Sequence, residues 1–153
     1  MHHWKAEFPV ALAQGTAVLR ECIHSARALL AGDDFDLHRV YTNMILHGDL
    51  QGPHRDRPGG ITALYYANTQ WKENWMGETI FYDEHREPVQ ALAPKPGRLA
   101  LFDSEIVHRA GVPSRECFEP RVSVAFIFVS KARSRGLELP NESSHDPIAG
   151  ALR

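Results

Sequence analysis

The sequence predicts a mainly β domain, a sandwich or jelly roll, with one helix before the strands. Two observations favour this class: seven short runs of strand-forming residues follow residue 36, and Gly and Pro residues separate most of them. Many short strands with such punctuation are typical of sandwiches and jelly rolls rather than of alternating βαβ units. A chain of 153 residues is most simply a single domain over residues 1–153, and it is long enough to bury a sizeable core.

The predicted helix covers residues 10–31. Apolar residues recur there at helical spacing, and Gly32 supplies a stop. The period then changes, and the predicted β core extends over residues 37–130. Its strands are expected at residues 37–46, 61–67, 79–82, 89–92, 99–102, 106–112 and 122–129. Residues 131–153 form a polar tail, either a disordered end or a flap over the site.

Composition excludes several functional classes. The formal net charge is −2 and the pI is about 6.5, which gives no broad footprint for binding nucleic acid or a membrane surface. No apolar run approaches the roughly 20 residues that span a bilayer, and the N-terminus lacks the apolar stretch of a signal peptide. Cys22 and Cys117 match no metal or redox spacing and are expected to be unpaired thiols in a reducing cytoplasm. We therefore expect a cytoplasmic protein without nucleic-acid or membrane partners.

A candidate metal site is formed by two histidines and an aspartate. In a strand, residues i and i+2 point to the same side, so His54 and Asp56 can both face inward. His108 follows the predicted strand at 99–102, and a strand paired against the first would place its imidazole opposite the pair. Two imidazoles and one carboxylate make the facial triad of non-haem Fe(II) oxygenases. A core histidine bonded to backbone is the alternative for His108.

A candidate anion-binding residue, Arg121, comes thirteen residues after His108. Period-2 alternation puts it on one strand face with Ser123, and an arginine is costly to bury there unless a carboxylate meets it. A bound acid would meet this need, with the Ser123 hydroxyl as a second donor. A salt bridge to Glu78 or Glu105, or exposure at the strand edge, is the alternative. The order of parts points to an Fe(II)- and 2-oxoglutarate-dependent oxygenase.

Two other classes stay open at this point. One is a non-catalytic jelly-roll binding or sensing module that uses a metal structurally or not at all, although such a module has no need for Arg121. The other is a cupin-like metalloenzyme without a co-substrate, for which Glu78 or His47 is available as an additional ligand.

Residues spread over most of the predicted β core carry a resemblance to a known family. They are, in order, Pro53-His54-Arg55-Asp56, residues 61–68 with Tyr65-Tyr66-Ala67-Asn68, Trp71, Gly77-Glu78, Pro94-Lys95-Pro96-Gly97-Arg98-Leu99, His108 and Arg121. In this order and spacing the chain resembles the prolyl-4-hydroxylase-like branch of the Fe(II)/2-oxoglutarate-dependent dioxygenases. The oxygen-sensing prolyl hydroxylases share the paired tyrosines, the asparagine and the tryptophan. The resemblance covers about residues 37–130.

The resemblance implies a double-stranded β-helix, a jelly-roll barrel with an N-terminal helix packed on the major sheet. It implies that His54, Asp56 and His108 are the iron ligands and catalytic residues, with Fe(II) as cofactor and 2-oxoglutarate and O2 as co-substrates. The implied reaction oxidises, and usually hydroxylates, an unactivated C–H bond and yields succinate and CO2. Retention of Asp56 favours oxygenation, because related halogenases replace this carboxylate with a small residue.

The resemblance also implies how the co-substrate is held. Arg121 would pair with the far carboxylate of 2-oxoglutarate, Tyr66 would donate its hydroxyl to the same group, and Ser123 would assist. The chain departs from the pattern before the metal pair, because the branch usually has a tyrosine nine or ten residues before the first ligand. Met44 and Ile45 occupy those places here, and we expect Asn43 to supply the lost polar contact.

Substrate contacts are expected in the loops around the mouth of the site. Arg55, Arg57 and Arg109 lie beside the ligands in sequence and would meet an acidic group of a substrate or carrier, although solvated surface arginines are the alternative. Residues 68–77 form a candidate lid in which Trp75 would contact the substrate. We expect a small-molecule or amino-acid-like substrate, either free or bound to a carrier or peptide, and a prolyl or peptidyl hydroxylase acting on a protein is the alternative.

Overall fold

The computed structural model describes residues 4–29 and 34–131, which form two antiparallel β-sheets packed face to face. In spatial order the larger sheet contains β1 (Trp4–Phe8), β2 (Phe35–Ile45), β8 (Arg121–Ser130), β3 (Gly60–Tyr66) and β6 (Leu99–Asp103). The smaller sheet contains β5 (Pro88–Leu92), β4 (Thr79–Tyr82) and β7 (His108–Ala110). The remaining elements are α1 (Val10–Ala13), α2 (Ala17–Leu29) and a 3-10 helix at Glu73–Trp75.

Two apolar clusters hold these layers together. One lies between the sheets, and its buried members are Tyr41, Leu64, Tyr66, Phe81, Phe102, Ala125 and Ile127. The other lies between α2 and the opposite face of the larger sheet, and it includes Leu19, Cys22, Ala26, Val40, Ala63, Phe126 and Phe128. The predicted jelly-roll sandwich with a helix on the larger sheet is therefore confirmed.

The single helix expected over residues 10–31 is wrong, because the chain forms two helices there. Gly15 takes a positive φ of 83°, a conformation that ends a helix and that glycine adopts at little cost. Thr16 then starts α2: its Oγ1 accepts a hydrogen bond from the Leu19 amide at 3.2 Å, as an N-terminal cap does. Residues 30–31 and the predicted tail beyond Lys131 lie outside the described residues.

Each predicted strand agrees with an observed strand to within two residues at each end, and two differences remain. Strand β1 was not predicted, although Trp4, Ala6 and Phe8 alternate with Lys5 and Glu7. All five residues are exposed, so this alternation does not mark a buried face. Strand β7 is only three residues long, because Ile106 lies in a turn whose amide donates to the Asp103 carbonyl at 3.0 Å. Neither difference changes the layers of the fold.

The contact between the smaller sheet and the following loop depends on Gly111. Its amide donates to the Glu78 carbonyl at 2.8 Å, and a Cβ added there would lie 2.5 Å from the same oxygen. We expect Gly111→Ala to lower the free energy of unfolding by about 1–3 kcal/mol, because the backbone must shift to relieve the overlap. Urea denaturation measures this change. Gly52→Ala is the control, since nothing lies within 4 Å of its added Cβ, and an equal loss in both variants would contradict the account.

The two cysteines and the described helices bear on the expectations drawn from composition. Cys22 and Cys117 are both buried and unpaired, and burial raises the pKa of the Cys22 thiol to about 12. The described helices include none that is long and apolar enough to cross a membrane.

Candidate metal centre and co-substrate pocket

The fold brings His54, Asp56 and His108 together at one edge of the sandwich. The sequence led us to expect His54 in a regular strand. It lies instead in an extended segment that pairs with His108 alone. The two residues exchange backbone hydrogen bonds of 2.9 Å in both directions. This single bridge sets the two imidazoles side by side, with ring centroids 4.6 Å apart.

One ligand atom from each of these residues lies within 4.8 Å of the other two. The Nε2 atom of His54 is 3.9 Å from Asp56 Oδ1, and that of His108 is 3.6 Å from Asp56 Oδ2. The other ring nitrogens are bonded to backbone: His54 Nδ1 donates to Gly52 O at 3.1 Å and His108 Nδ1 to Ile106 O at 2.9 Å. A bond at Nδ1 fixes the tautomer and leaves the Nε2 lone pair for a metal.

The electrostatics of the site suit these protonation states. Burial lowers the pKa of His108, which favours the neutral imidazole that binds metals. Asp56 accepts two hydrogen bonds from neighbouring side chains, from the Tyr41 hydroxyl at 3.0 Å and from Thr62 Oγ1 at 2.6 Å. Burial and, next, the charge of Asp56 raise the pKa of Tyr41, so its hydroxyl stays protonated and remains a donor.

Tyr41 is therefore a positioning residue for the carboxylate, and sequence reasoning missed it. We expect Tyr41→Phe to weaken binding of Mn(II) or Fe(II) by about tenfold, the lower end of the range for losing a hydrogen bond to a metal ligand. Metal titration under anaerobic conditions measures the effect. Tyr65→Phe is the control, because Tyr65 packs against the cluster next to α2. Equal affinities of the wild-type protein and Tyr41→Phe would show that the hydroxyl does not hold Asp56 for the metal.

Arg121 lies at the start of β8 and is only 1% exposed. Its guanidinium donates to neutral acceptors: the Gly77 carbonyl at 2.7 Å, Thr79 Oγ1 at 2.8 Å and Ser123 Oγ at 3.4 Å. Within residues 4–29 and 34–131, no carboxylate, Glu78 included, lies within 4 Å of it. Burial lowers the pKa of Arg121, yet a guanidinium remains protonated in proteins. A buried cation without an anion is costly, so this position favours binding of an acid.

A cavity joins the triad to Arg121, and its lining includes Asn43, Ser123 and the three candidate ligands. Asn43 is 7% exposed, and its Oδ1 is buried without a hydrogen-bond partner. Because the O and N of an amide are assigned by their partners, the same position can present an NH2 donor. A buried cation and an unpartnered amide beside two imidazoles and a carboxylate form a donor set that fits a metal-chelated dicarboxylate.

The free space in this cavity is about 20 Å³, which holds about one water molecule. A dicarboxylate therefore enters only if lining side chains move. The guanidinium of Arg121 is the side chain best suited to do so, since a ligand carboxylate can replace the Thr79 and Ser123 oxygens that it now contacts.

Thr79 lines the cavity beside Arg121, and Tyr66 contacts both residues without lining the cavity itself. The Tyr66 hydroxyl lies 2.7 Å from Thr79 Oγ1, and the Arg121 Cζ lies 5.2 Å from the centre of the Tyr66 ring. Tyr66 and Ser123 therefore both lie next to Arg121, whereas their contacts with 2-oxoglutarate stay predictions. The contact of Thr79 with Arg121 was missed. It depends on how the two sheets pack against each other, and no local pattern in the sequence indicates that packing.

The residues predicted to contact a substrate fall into two groups. Arg57 lies at the outer side of the triad, where its Nη1 is 3.3 Å from His38 Nε2. Arg109 follows His108 on the strand and faces the opposite side, with its Nε donating to the Tyr82 hydroxyl at 2.5 Å. Trp75 is buried, and its ring packs edge-to-face on Trp71 with centroids 5.4 Å apart. Neither Arg109 nor Trp75 lines the cavity between the triad and Arg121. Strand alternation points Arg109 to the opposite side, and Trp75 is packed against Trp71.

The family is established by a sequence match. The family model of the 2OG-Fe(II) oxygenase superfamily matches residues 34–129, more than half of the chain. The chain therefore belongs to the 2OG-Fe(II) oxygenase superfamily, whose members use Fe(II), 2-oxoglutarate and O2. No curated protein matches the chain significantly.

Solved structures support the same fold. An oxidoreductase of the 2OG-Fe(II) oxygenase family from Burkholderia pseudomallei is 17% identical over 75% of this chain and 53% of its own, with a TM-score of 0.60. A prolyl-4-hydroxylase from Pseudomonas putida is 20% identical over 83% of this chain and 68% of its own, with a TM-score of 0.60. A structure of prolyl 4-hydroxylases from Phytophthora capsici is 24% identical over 83% of this chain and 48% of its own, with a TM-score of 0.61. The chain spans about half the length of the first and third of these, and at such identities the likeness shows the fold alone.

Proposed function

We propose that this chain is an Fe(II)- and 2-oxoglutarate-dependent dioxygenase that hydroxylates an unactivated C–H bond of a small-molecule or amino-acid-like substrate. The observation that carries the proposal is a single cavity that is lined at one end by His54, Asp56 and His108 and at the other by Arg121. A metal-binding module has no use for a fully buried cation without an anionic partner at this place.

Each residue has a definite task in this proposal. His54, Asp56 and His108 would hold Fe(II) from one side, and Arg121 would hold the far carboxylate of 2-oxoglutarate by a charge-assisted pair. When bound, the iron with 2-oxoglutarate and O2 supplies the oxidising chemistry, and 2-oxoglutarate is converted to succinate and CO2. Burial of Arg121 excludes water from the ion pair and so strengthens it.

A hydroxylase acting on proline in a protein is the second candidate. The observation that favours it is the likeness to structures named prolyl-4-hydroxylases. Fold likeness does not specify a substrate, so the two candidates are separated by assay.

The test of the reaction class is succinate formation from 2-oxoglutarate by the Fe(II)-loaded protein in air. Free amino acids, their N-acetyl derivatives and proline-containing peptides would be supplied in parallel, and products would be examined for the mass of one added oxygen. Turnover with the small compounds supports the first candidate, and turnover with peptides alone supports the second. Fe(II) binding with no consumption of 2-oxoglutarate under any condition would contradict both.

A further inference from the structure

A second cavity, of about 290 Å³, opens on the outer side of the triad. It shares Tyr41, His54 and Asp56 with the inner cavity that reaches Arg121, so any molecule in it adjoins the candidate iron ligands. Its other polar side chains are cationic or can become so. They are Lys5, His38, Arg39, Arg55 and Arg57.

The protein neutralises these cations only in part. Arg39 pairs with Glu7 at 2.6 Å, and in the proposed function the Asp56 carboxylate is committed to the metal. Four fixed cations, Lys5 and the three arginines, are thus opposed by one carboxylate, although the whole chain carries a net charge of −2. The cationic pocket is therefore a local feature and not a consequence of overall composition.

Mutual repulsion and burial act on the same groups. Burial and, next, the charge of Arg39 lower the pKa of Lys5. Burial and then the charges of Arg57 and Arg39 lower the pKa of His38. The Arg39 Nε is buried without a hydrogen-bond partner. An anion placed among these groups would relieve the repulsion and supply the missing acceptor.

The fold places these cationic side chains close to the candidate metal centre. A bulge at His38 interrupts the pairing of β2 with β8, and such a bulge re-aims the side chains that follow it. Lys5 Nζ and Arg39 Cζ then lie 3.9 Å and 5.1 Å from the centre of the Tyr41 ring. The hydroxyl of that ring bonds Asp56, so the cations are connected to the candidate iron ligand through one side chain.

We propose that the substrate carries an anionic group, a carboxylate or a phosphate, which binds in this cationic pocket and directs a neighbouring C–H bond toward the metal. Guanidinium forks match both oxyanions in geometry, and Arg55 and Arg57 flank Asp56 directly in sequence. Arg55 is partly fixed already, because its Nε donates to the Glu105 carbonyl at 2.8 Å. The inference rests on the proposed function, since it assigns the substrate class of the same site.

The experiment compares a carboxylate probe with its neutral amide and adds a phosphate probe. Protein loaded with Mn(II) and 2-oxoglutarate is titrated with N-acetylglycine and, separately, with its neutral amide, and paramagnetic relaxation of the acetyl protons reports proximity to the metal. Methyl phosphate, with its methyl protons, forms the phosphate arm. We expect saturable relaxation for one or both anions and at least a tenfold weaker effect for the amide. Arg39→Gln with Arg57→Gln should abolish it, whereas Arg27→Gln on the exposed side of α2 should not.

A second readout keeps the pocket test independent of the reaction. Amide chemical shifts of residues 55–57 are followed during the same titrations in metal-free protein. Saturable shifts for an anion that are lost in the double variant support the cationic pocket even if no succinate is ever formed, in which case only the proposed function fails. Equal behaviour of anion and amide in both readouts, or anion binding that persists in the double variant, would overturn the inference. The stronger of the two oxyanion arms identifies the group.

Discussion

Replacing His108 with alanine is expected to abolish Fe(II)-dependent succinate formation. The variant leaves His54 and Asp56 as the remaining candidate ligands, and loss of one ligand costs more than the roughly 10–100-fold in metal affinity that follows loss of a ligand's hydrogen-bond partner. His108 also exchanges backbone hydrogen bonds with His54, and these survive the substitution because they involve no side chain. Anaerobic metal titration and succinate release measure the two effects separately.

The matched control is His85→Ala, because the His85 side chain is 78% exposed and lies away from the site residues. We expect that variant to bind metal and form succinate as the wild-type protein does. Unchanged Fe(II) affinity in His108→Ala, with the protein folded, would remove His108 from the ligand set and with it the facial triad.

Replacing Arg121 with alanine is expected to raise the dissociation constant of 2-oxoglutarate by roughly 10²- to 4 × 10³-fold while metal binding is retained. Loss of one partner of a buried ion pair costs about 3–5 kcal/mol, and each 1.4 kcal/mol is a tenfold change in affinity. Arg121→Lys should recover part of the affinity, because the ammonium keeps the charge but not the planar fork. Calorimetry on the Mn(II)-loaded protein measures both variants.

Ser123→Ala provides the graded comparison for Arg121. Ser123 contacts the guanidinium at 3.4 Å, a long bond, so we expect only a few-fold loss of 2-oxoglutarate affinity. Unchanged 2-oxoglutarate affinity and full succinate formation in Arg121→Ala would contradict the co-substrate role of this residue. Metal binding by the wild-type protein without any affinity for 2-oxoglutarate would favour the non-catalytic module or the cupin-like enzyme.

Strand positions could be predicted where burial alternates along one strand. The sequence predicts β4 with its observed bounds, because Thr79 and Phe81 face the core while their neighbours do not. It predicts β8 to within one residue at each end for a different reason: the run is strongly apolar, and residues 125–128 are all buried because both faces of the strand are covered. The break before α2 was not predictable from periodicity, since the apolar positions of the two helices continue in similar spacing across Gly15.

Site residues that share one face of a strand could be predicted from the sequence, whereas those brought together by packing could not. Alternation along β8 placed Arg121 and Ser123 on one face, and both line the inner cavity. The same alternation along β2 places Tyr41 on the face of Asn43, so the sequence also contains a signal for Tyr41. Thr62 was not, because its contact with Asp56 arises from packing between a strand and a loop.

The most direct test of the central claim is anaerobic absorption spectroscopy of the protein mixed with Fe(II) and then with 2-oxoglutarate. A chelated keto acid on iron gives a weak visible charge-transfer band. We expect this band in the wild-type protein and in His85→Ala, and we expect no band in His108→Ala. No band in wild-type protein that has been shown to hold Fe(II) and to remain folded would contradict the account.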